Sequence, residues 1–264
     1  MAEATVDGVA IPTYPDLAGK VAVVTGGSRG IGAATCRMLA TNHARVVVSG
    51  RDREAIDGVV AGILEAGGQA IGVPADCTRF EAVERLRERT EREFGPADIL
   101  VAFAGGFGRY TPAHLISEEE WREVIDSNLT ATFLTVKSFL PGMIERRRGA
   151  IVTMASNAAR FLDILTTASY AASKAGIAMF TRHVAKEVGA YGVRVNCVAP
   201  ATVLSERVRR IMPEERQREV AQMAPLGRLG TPEDVALATL FFVSDSSSWL
   251  TGVTLDVAGG RIML

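Results

Sequence analysis

Cysteine, histidine and net charge are all scarce in this 264-residue chain, and each scarcity closes off a class of function. The three cysteines, Cys36, Cys77 and Cys197, are odd in number, far apart and set among apolar residues. They are expected to be reduced thiols in a cytoplasmic protein, not a disulfide framework. His43, His114 and His183 have no ligand spacing, so no metal site is expected. A formal net charge of −1 leaves no electrostatic footprint for nucleic acid or an anionic membrane. No apolar run approaches the ~18–20 residues of a membrane span. The opening residues lack the basic start and apolar block of a signal peptide, and residues 1–16 are expected to be a flexible arm. Two arginine-dense stretches have plain readings. "RLRERTERE" (85–93) alternates sign at helical spacing as a solvated face does, and "ERRRG" (145–149) ends a helix where cations suit the dipole.

What is present is apolar sequence, 48% of the chain against 22% charged, enough for a sizeable core. Short β-branched runs at 20–26, 45–50, 69–76, 97–105, 149–156, 193–200 and 253–260 alternate with helical patterns. That alternation predicts one α/β domain over 17–264, a doubly wound parallel seven-stranded sheet with helices on both faces. Runs apolar at successive positions, such as Val46–Val48, fit a sheet covered on both sides. Trp121 and Trp249 are read as packing residues.

"TGGSRGIG" (25–32) closes the first strand and opens the first helix. Gly26, Gly30 and Gly32 follow G-x-x-x-G-x-G spacing, and no Lys-Ser/Thr follows for a nucleotide-triphosphate loop. Glycines there let the backbone turn sharply and approach a pyrophosphate, which the helix N-terminus stabilises. Ser28, Arg29 and Ile31 complete the turn as cofactor-binding candidates. The second strand ends "VVVSGRDRE", where an acid selects NAD and an arginine accommodates the extra phosphate of NADP. Gly50 holds the acid's place and Arg51 follows, with Arg29 as a second cation, so NADP(H) is expected. Asp52 is the residue that would favour NAD(H) if it turned inward.

These motifs, in this order, resemble the short-chain dehydrogenase/reductase family over about 19–260, most closely its 3-oxoacyl-carrier-protein reductase branch. "TGGSRGIG" is similar to the family's TGxxxGxG turn and "YAASK" to its YxxxK pair. "DSNLTATF", "NCVAP", "PLGRLGTPEDVA" and "LTGVTLDVAGG" resemble further family segments. The resemblance implies a Rossmann fold. It also implies cofactor contacts at Asp76, Cys77, Ala104, Gly105, Pro200, Val203 and Ser205. Two departures stand out. "AFAGG" puts Ala102 and Phe103 where the family has two asparagines, and Ala201 follows Pro200 where it has glycine.

The family's serine lies thirteen residues before its tyrosine, which from Tyr170 lands on Asn157. Aligning the strand "GAIVTMAS" instead selects Ser156. A one-residue insertion in the loop "FLDILTT" reconciles the two, since loops absorb insertions and a strand shift would flip the side chain. Ser156 is therefore the candidate. Tyr170 and Lys174 share a helix face; read alone, they are an ordinary helix pair. A nearby ammonium is expected to lower the phenol's pKa, leaving Tyr170 to hand its proton to a carbonyl oxygen that Ser156 hydrogen-bonds. The resemblance implies that Lys174 also holds the nicotinamide ribose and that Asn128 binds a water linking Lys174 to solvent.

The substrate, a small carbonyl or alcohol, is expected among residues 106–110, 160–167 and a lid at about 202–223. The lid's arginines are read as a solvated face or as contacts to an acidic substrate. The resemblance implies a homotetramer, with a homodimer as the alternative, built on helices spanning about 114–146 and 169–190. Ile177, Phe180 and Val184 are its candidate packing face. The main reading is an NADP(H)-dependent ketone reductase. Its rivals are an NAD-dependent alcohol or hydroxysteroid-type dehydrogenase and a nucleotide-binding regulator without turnover.

Overall fold

A strand buried at every position needs cover on both sheet faces, and β1 (Val21–Thr25) is such a strand. Beside it run β2 (Arg45–Gly50), β3 (Gln69–Pro74), β4 (Ile99–Ala102), β5 (Gly149–Met154), β6 (Val193–Pro200) and β7 (Thr254–Val257). These are the seven strands the sequence predicts. The computed structural model, which describes residues 5–6, 8–161 and 166–263, pairs them all in parallel in the order β3-β2-β1-β4-β5-β6-β7. Strand order reverses between β1 and β4. The loops leaving those two strands diverge, which opens a crevice at the carboxyl edge of the sheet.

Successive side chains on a strand point to opposite faces, and the core divides accordingly. Val24, Val46 and Val152 pack under α1 (Gly30–Thr41), α2 (Arg53–Glu65) and α9 (Pro232–Val243). Val23, Leu100, Ile151 and Val195 pack under α3 (Phe80–Phe94), α5 (Ala131–Glu145) and α6 (Ala168–Val188). Capping boxes start α4 (Glu118–Ile125), at Ser117 and Glu120, and α9, at Thr231 and Asp234 with Pro232 in the first position. Each box satisfies helix N–H groups that lack an internal partner. Asn196 fixes the edge strand: its Nδ2 donates to Leu250 O at 2.9 Å and its Oδ1 accepts from Val253 N at 3.1 Å.

Both arginine-dense stretches are consumed structurally. Arg87 pairs with Glu84 and Glu91 along α3. Arg146 and Arg147 donate to Ala97 O and Ala190 O, and Arg148 pairs with Asp98.

Three expectations need correcting. The opening segment is partly packed: Ile11 is buried and Tyr14 N donates to Asn42 Oδ1 at 2.6 Å. Ile177 and Val184 belong to the interior beneath α6. The outward faces of α5 and α6 carry Phe133 and Met179 instead. Trp249 is 96% exposed among the described residues, and Trp121 is 42% exposed.

Candidate active site

At the turn between β1 and α1, Gly26 has φ +67° and its Cα faces the end of β4: a Cβ there would lie 2.7 Å from Phe103 O. Gly32 is tighter still, since a Cβ would lie 2.1 Å from Gly26 O. The first turn of α1 therefore sits directly on the loop, and its N-terminus faces the crevice with no side chain in between. Ile31 packs against the core, and Ser28 presses against Gly50 at the end of β2. Gly30 lies beside Ser205, which caps α7 (Glu206–Ile211) by accepting from Val208 N at 3.4 Å. Pro200, Val203 and Ser205 thus lead from β6 to the glycine-rich turn. Gly26 and Gly32 let the backbone close tightly on itself at the start of α1, which brings the N–H groups of that helix N-terminus to the place a pyrophosphate would take, so the residues present fit a dinucleotide.

Where the two asparagines are missing, the threonine of the TGxxxGxG turn still ties the loop after β4. Thr25 Oγ1 accepts from Ala104 N at 3.4 Å, and Thr25 O accepts from Phe103 N at 3.2 Å. Buried Ala102 and Phe103 are held by backbone and by this hydroxyl. Its signal was its place as the last residue of a wholly apolar strand.

At the adenosine end, Asp52 is already engaged. Its carboxylate caps α2 through Ala55 N at 3.1 Å and pairs with Arg29 Nη2 at 2.5 Å. The Ala55 N–H and then the Arg29 hydrogen bond hold that carboxyl below its usual range. Arg51 is exposed, and no hydrogen bond or ion pair holds it among the described residues. A cleft of about 260 Å³ opens beside Ser28, Arg29, Gly30, Arg37 and Glu206. Asp76 forms a local cap at the end of β3, accepting from Thr78 N at 3.0 Å and Thr78 Oγ1 at 2.7 Å. Cys77 lies buried behind it, its thiol pushed up to about 11 by desolvation.

Asn128 lies in a π-helical turn, Asp126–Thr130, between α4 and α5. Fully buried, its amide grips the loop after β4: Oδ1 accepts from Gly106 N at 3.1 Å, and Nδ2 donates to Gly106 O and Val124 O, each at 2.9 Å. Gly105 passes so close that a Cβ would lie 2.5 Å from Asn128 Oδ1.

Ser156, Tyr170 and Lys174 come together where β5 ends and α6 begins. Thr167, a residue the motif reading passed over, caps α6 by accepting from Tyr170 N at 3.2 Å. That cap sets the helix start and hence the face on which Tyr170 and Lys174 stand. Ser156 Oγ lies close enough to the Tyr170 phenol to favour its phenolate. It also accepts from Ala158 N and donates to Asn157 Oδ1, both at 3.2 Å. Residues 162–165, where the loop insertion was expected, lie outside the described residues. Lys174 is 3% exposed and Nζ donates to Met154 O at 2.9 Å.

The electrostatics of the pair differ from expectation. Tyr170 is pushed up, not down: desolvation dominates, and the Ser156 hydrogen bond and the Arg207 charge only partly offset it. The ammonium of Lys174 stands over the ring, 5.6 Å from its centroid, while its hydrogen bond goes to Met154 O. Burial pushes Lys174 down from 10.5 to about 8. A lysine whose folded value is depressed binds fewer protons folded than unfolded between those two limits, so stability rises with pH across that window. The penalty is fully present below pH 8 and gone above 10.5. Nucleotide-free protein should therefore gain Tm between pH 8 and 10 relative to Lys174→Met, as followed by thermal melts. Equal pH slopes would show that Lys174 is not desolvated.

Comparisons with known proteins converge on the same chemistry. Residues 20–216 match the family described as short chain dehydrogenase. The chain is 36% identical to 3-oxoacyl-acyl-carrier-protein reductase of Vibrio cholerae, covering 94% of this chain and 100% of that one. It is 40% identical to cis-4-hydroxycyclohexanecarboxylate dehydrogenase of Sinomonas cyclohexanicum, covering 91% and 96%. The crystal structure of gox2181 superposes with a TM-score of 0.90 at 30% identity, covering 94% of this chain and 98% of that one.

Proposed function

The chain belongs to the short-chain dehydrogenase family, and from that premise we propose that it is an NADP(H)-dependent ketone reductase of the 3-oxoacyl-reductase type. As a member it is an oxidoreductase acting on carbonyl or hydroxyl groups. The observation that carries the finer reading is the meeting of Ser156, Tyr170 and Lys174 at the carboxyl edge of the sheet, beside the glycine-rich turn.

When bound, the nicotinamide supplies hydride to the carbonyl carbon or takes it back from the alcohol. Tyr170, a phenol whose pKa burial raises further, carries its proton at neutral pH and gives it to the carbonyl oxygen. The Ser156 hydroxyl rotates from Asn157 to the same oxygen and stabilises the charge that develops there. Lys174, turning from Met154 O, holds the nicotinamide ribose, and its ammonium then favours the phenolate left on Tyr170. Asn128 keeps the loop beside this site in place. Gly26, Ser28, Gly30, Ile31 and Gly32 cradle the pyrophosphate. Asp76 and Cys77 border the adenine, and Ala104, Gly105, Pro200, Val203 and Ser205 line the ribose and nicotinamide.

Arg51, with Arg29 beside it, would take the 2′-phosphate. The engaged carboxylate of Asp52 supports this choice, since it no longer offers a free acceptor to a ribose. Arg51→Ala is expected to weaken NADPH binding about 10–100-fold, the worth of a charge-assisted hydrogen bond, with NADH affinity unchanged. Fluorescence titration of both nucleotides measures it, and an unaltered NADPH affinity would count against the assignment.

We further propose a homotetramer working in the cytoplasm. Exposed Phe133, Met179 and Trp249 support the assembly, and three buried free thiols suit a reducing compartment. No helix among the described residues is long and apolar enough to cross a membrane, and no metal cluster is present among them.

A further inference from the structure

We infer that Arg207 selects the substrate, and that this substrate is a ketone bearing a carboxylate one ring or short chain away from its carbonyl. The inference rests on the ketone-reductase reading and deepens it. Three groups are in contact at the proton donor. The Phe107 ring meets Tyr170 edge to face, centroids 6.1 Å apart at 72°. The guanidinium of Arg207 lies over the Phe107 ring, 4.7 Å from its centroid. It is held there by Nη2 donating to Phe107 O at 2.8 Å. Its charge reaches Tyr170, where it favours the phenolate.

Some arginines around the lid are matched to carboxylates: Arg160 with Asp256, Arg216 with Glu219, Arg228 with Asp234. Arg207 has no carboxylate partner among the described residues, although a guanidinium carries five N–H donors in a fork that fits a carboxylate. Gly106 leaves room beside Nη1, which would lie 3.4 Å from a Cβ at that position. Between donor fork and phenol stands the Phe107 ring, 39% exposed. Such a site takes a molecule with an apolar body, an anion at one end and a carbonyl at the other.

The test compares 4-oxocyclohexanecarboxylate with its methyl ester and with a neutral 3-oxoacyl thioester, following NADPH absorbance. With wild-type protein, kcat/KM for the acid should exceed that for the ester about 10–100-fold. Arg207→Met should bring the ratio near one by raising KM for the acid more than KM for the ester, and Arg207→Lys should restore part of it. In wild-type protein, cyclohexanecarboxylate should inhibit ester reduction competitively, a measurement that needs no variant.

Equal rates on acid and ester, absence of that inhibition, or an Arg207→Met that slows both substrates alike would overturn the assignment. The last outcome would leave Arg207 as an anchor for the loop and nothing more. Brisk turnover of the ester or thioester without the acid would sink this inference and leave the ketone-reductase reading standing. Nucleotide binding with no carbonyl consumed would sink both.

Discussion

Tyr170→Phe is expected to cut ketone reduction by about 10²–10⁴-fold, the usual contribution of a positioned general acid, while leaving nucleotide affinity within a factor of two to three. The substitution removes one oxygen and little volume. The edge-to-face contact with Phe107 and the cap from Thr167 to residue 170 N involve the ring and the backbone, so both survive. What disappears is the proton that the phenol carries at neutral pH and the hydroxyl that meets Ser156. With no acid in reach, the developing alkoxide must take its proton from water, and only Ser156 remains to stabilise it. Steady-state rates beside a fluorescence titration of NADPH make the comparison. Turnover within tenfold of wild type would mean that another group delivers the proton and that the site has been misassigned.

A second large effect is expected far from the proton donor. Gly32→Ala should destabilise the fold by roughly 3 kcal/mol, at the upper end of the usual overpacking range, and lower Tm by around 10 °C. It should also abolish detectable nucleotide binding. The added methyl carbon would lie 2.1 Å from Gly26 O, and the obstacle is backbone, which cannot swing aside as a side chain can. Relief requires α1 to lift from the turn, and lifting it withdraws the helix N-terminus from the place where a pyrophosphate would sit. Differential scanning calorimetry with and without NADPH reads both losses. A variant that melts as wild type does and binds nucleotide normally would show that the turn has slack, which would undercut the cradle as drawn.

Much of this was legible before any coordinates. The β-α alternation foretold the seven strands, because short continuous β-branched runs and helical runs are local patterns. The TGxxxGxG and YxxxK spacings were legible for the same reason: a turn and a helix face are each made by residues adjacent in the chain. Ser156 was separable from Asn157 because strand register governs which side chain points where. Less could be seen wherever partners come from distant segments. Thr25 holding the loop at Ala104, Asn128 gripping Gly106, and Arg29 engaging Asp52 all join residues whose separation in sequence carries no pattern. The inward turn of Ile177 and Val184 was hidden because an apolar helix stripe looks alike whether it meets its own sheet or a second copy.

By itself, then, the sequence determined the layered fold, the glycine-rich turn and the candidates for proton handling, since each depends on short-range periodicity and steric freedom. Only the tertiary structure decided which way those candidates are shifted and which guanidinium reaches them. Burial and through-space fields set both. Desolvation raises Tyr170 and drops Lys174 to about 8, and folding alone lays Arg207, thirty-seven residues further along the chain, against the ring beside Tyr170.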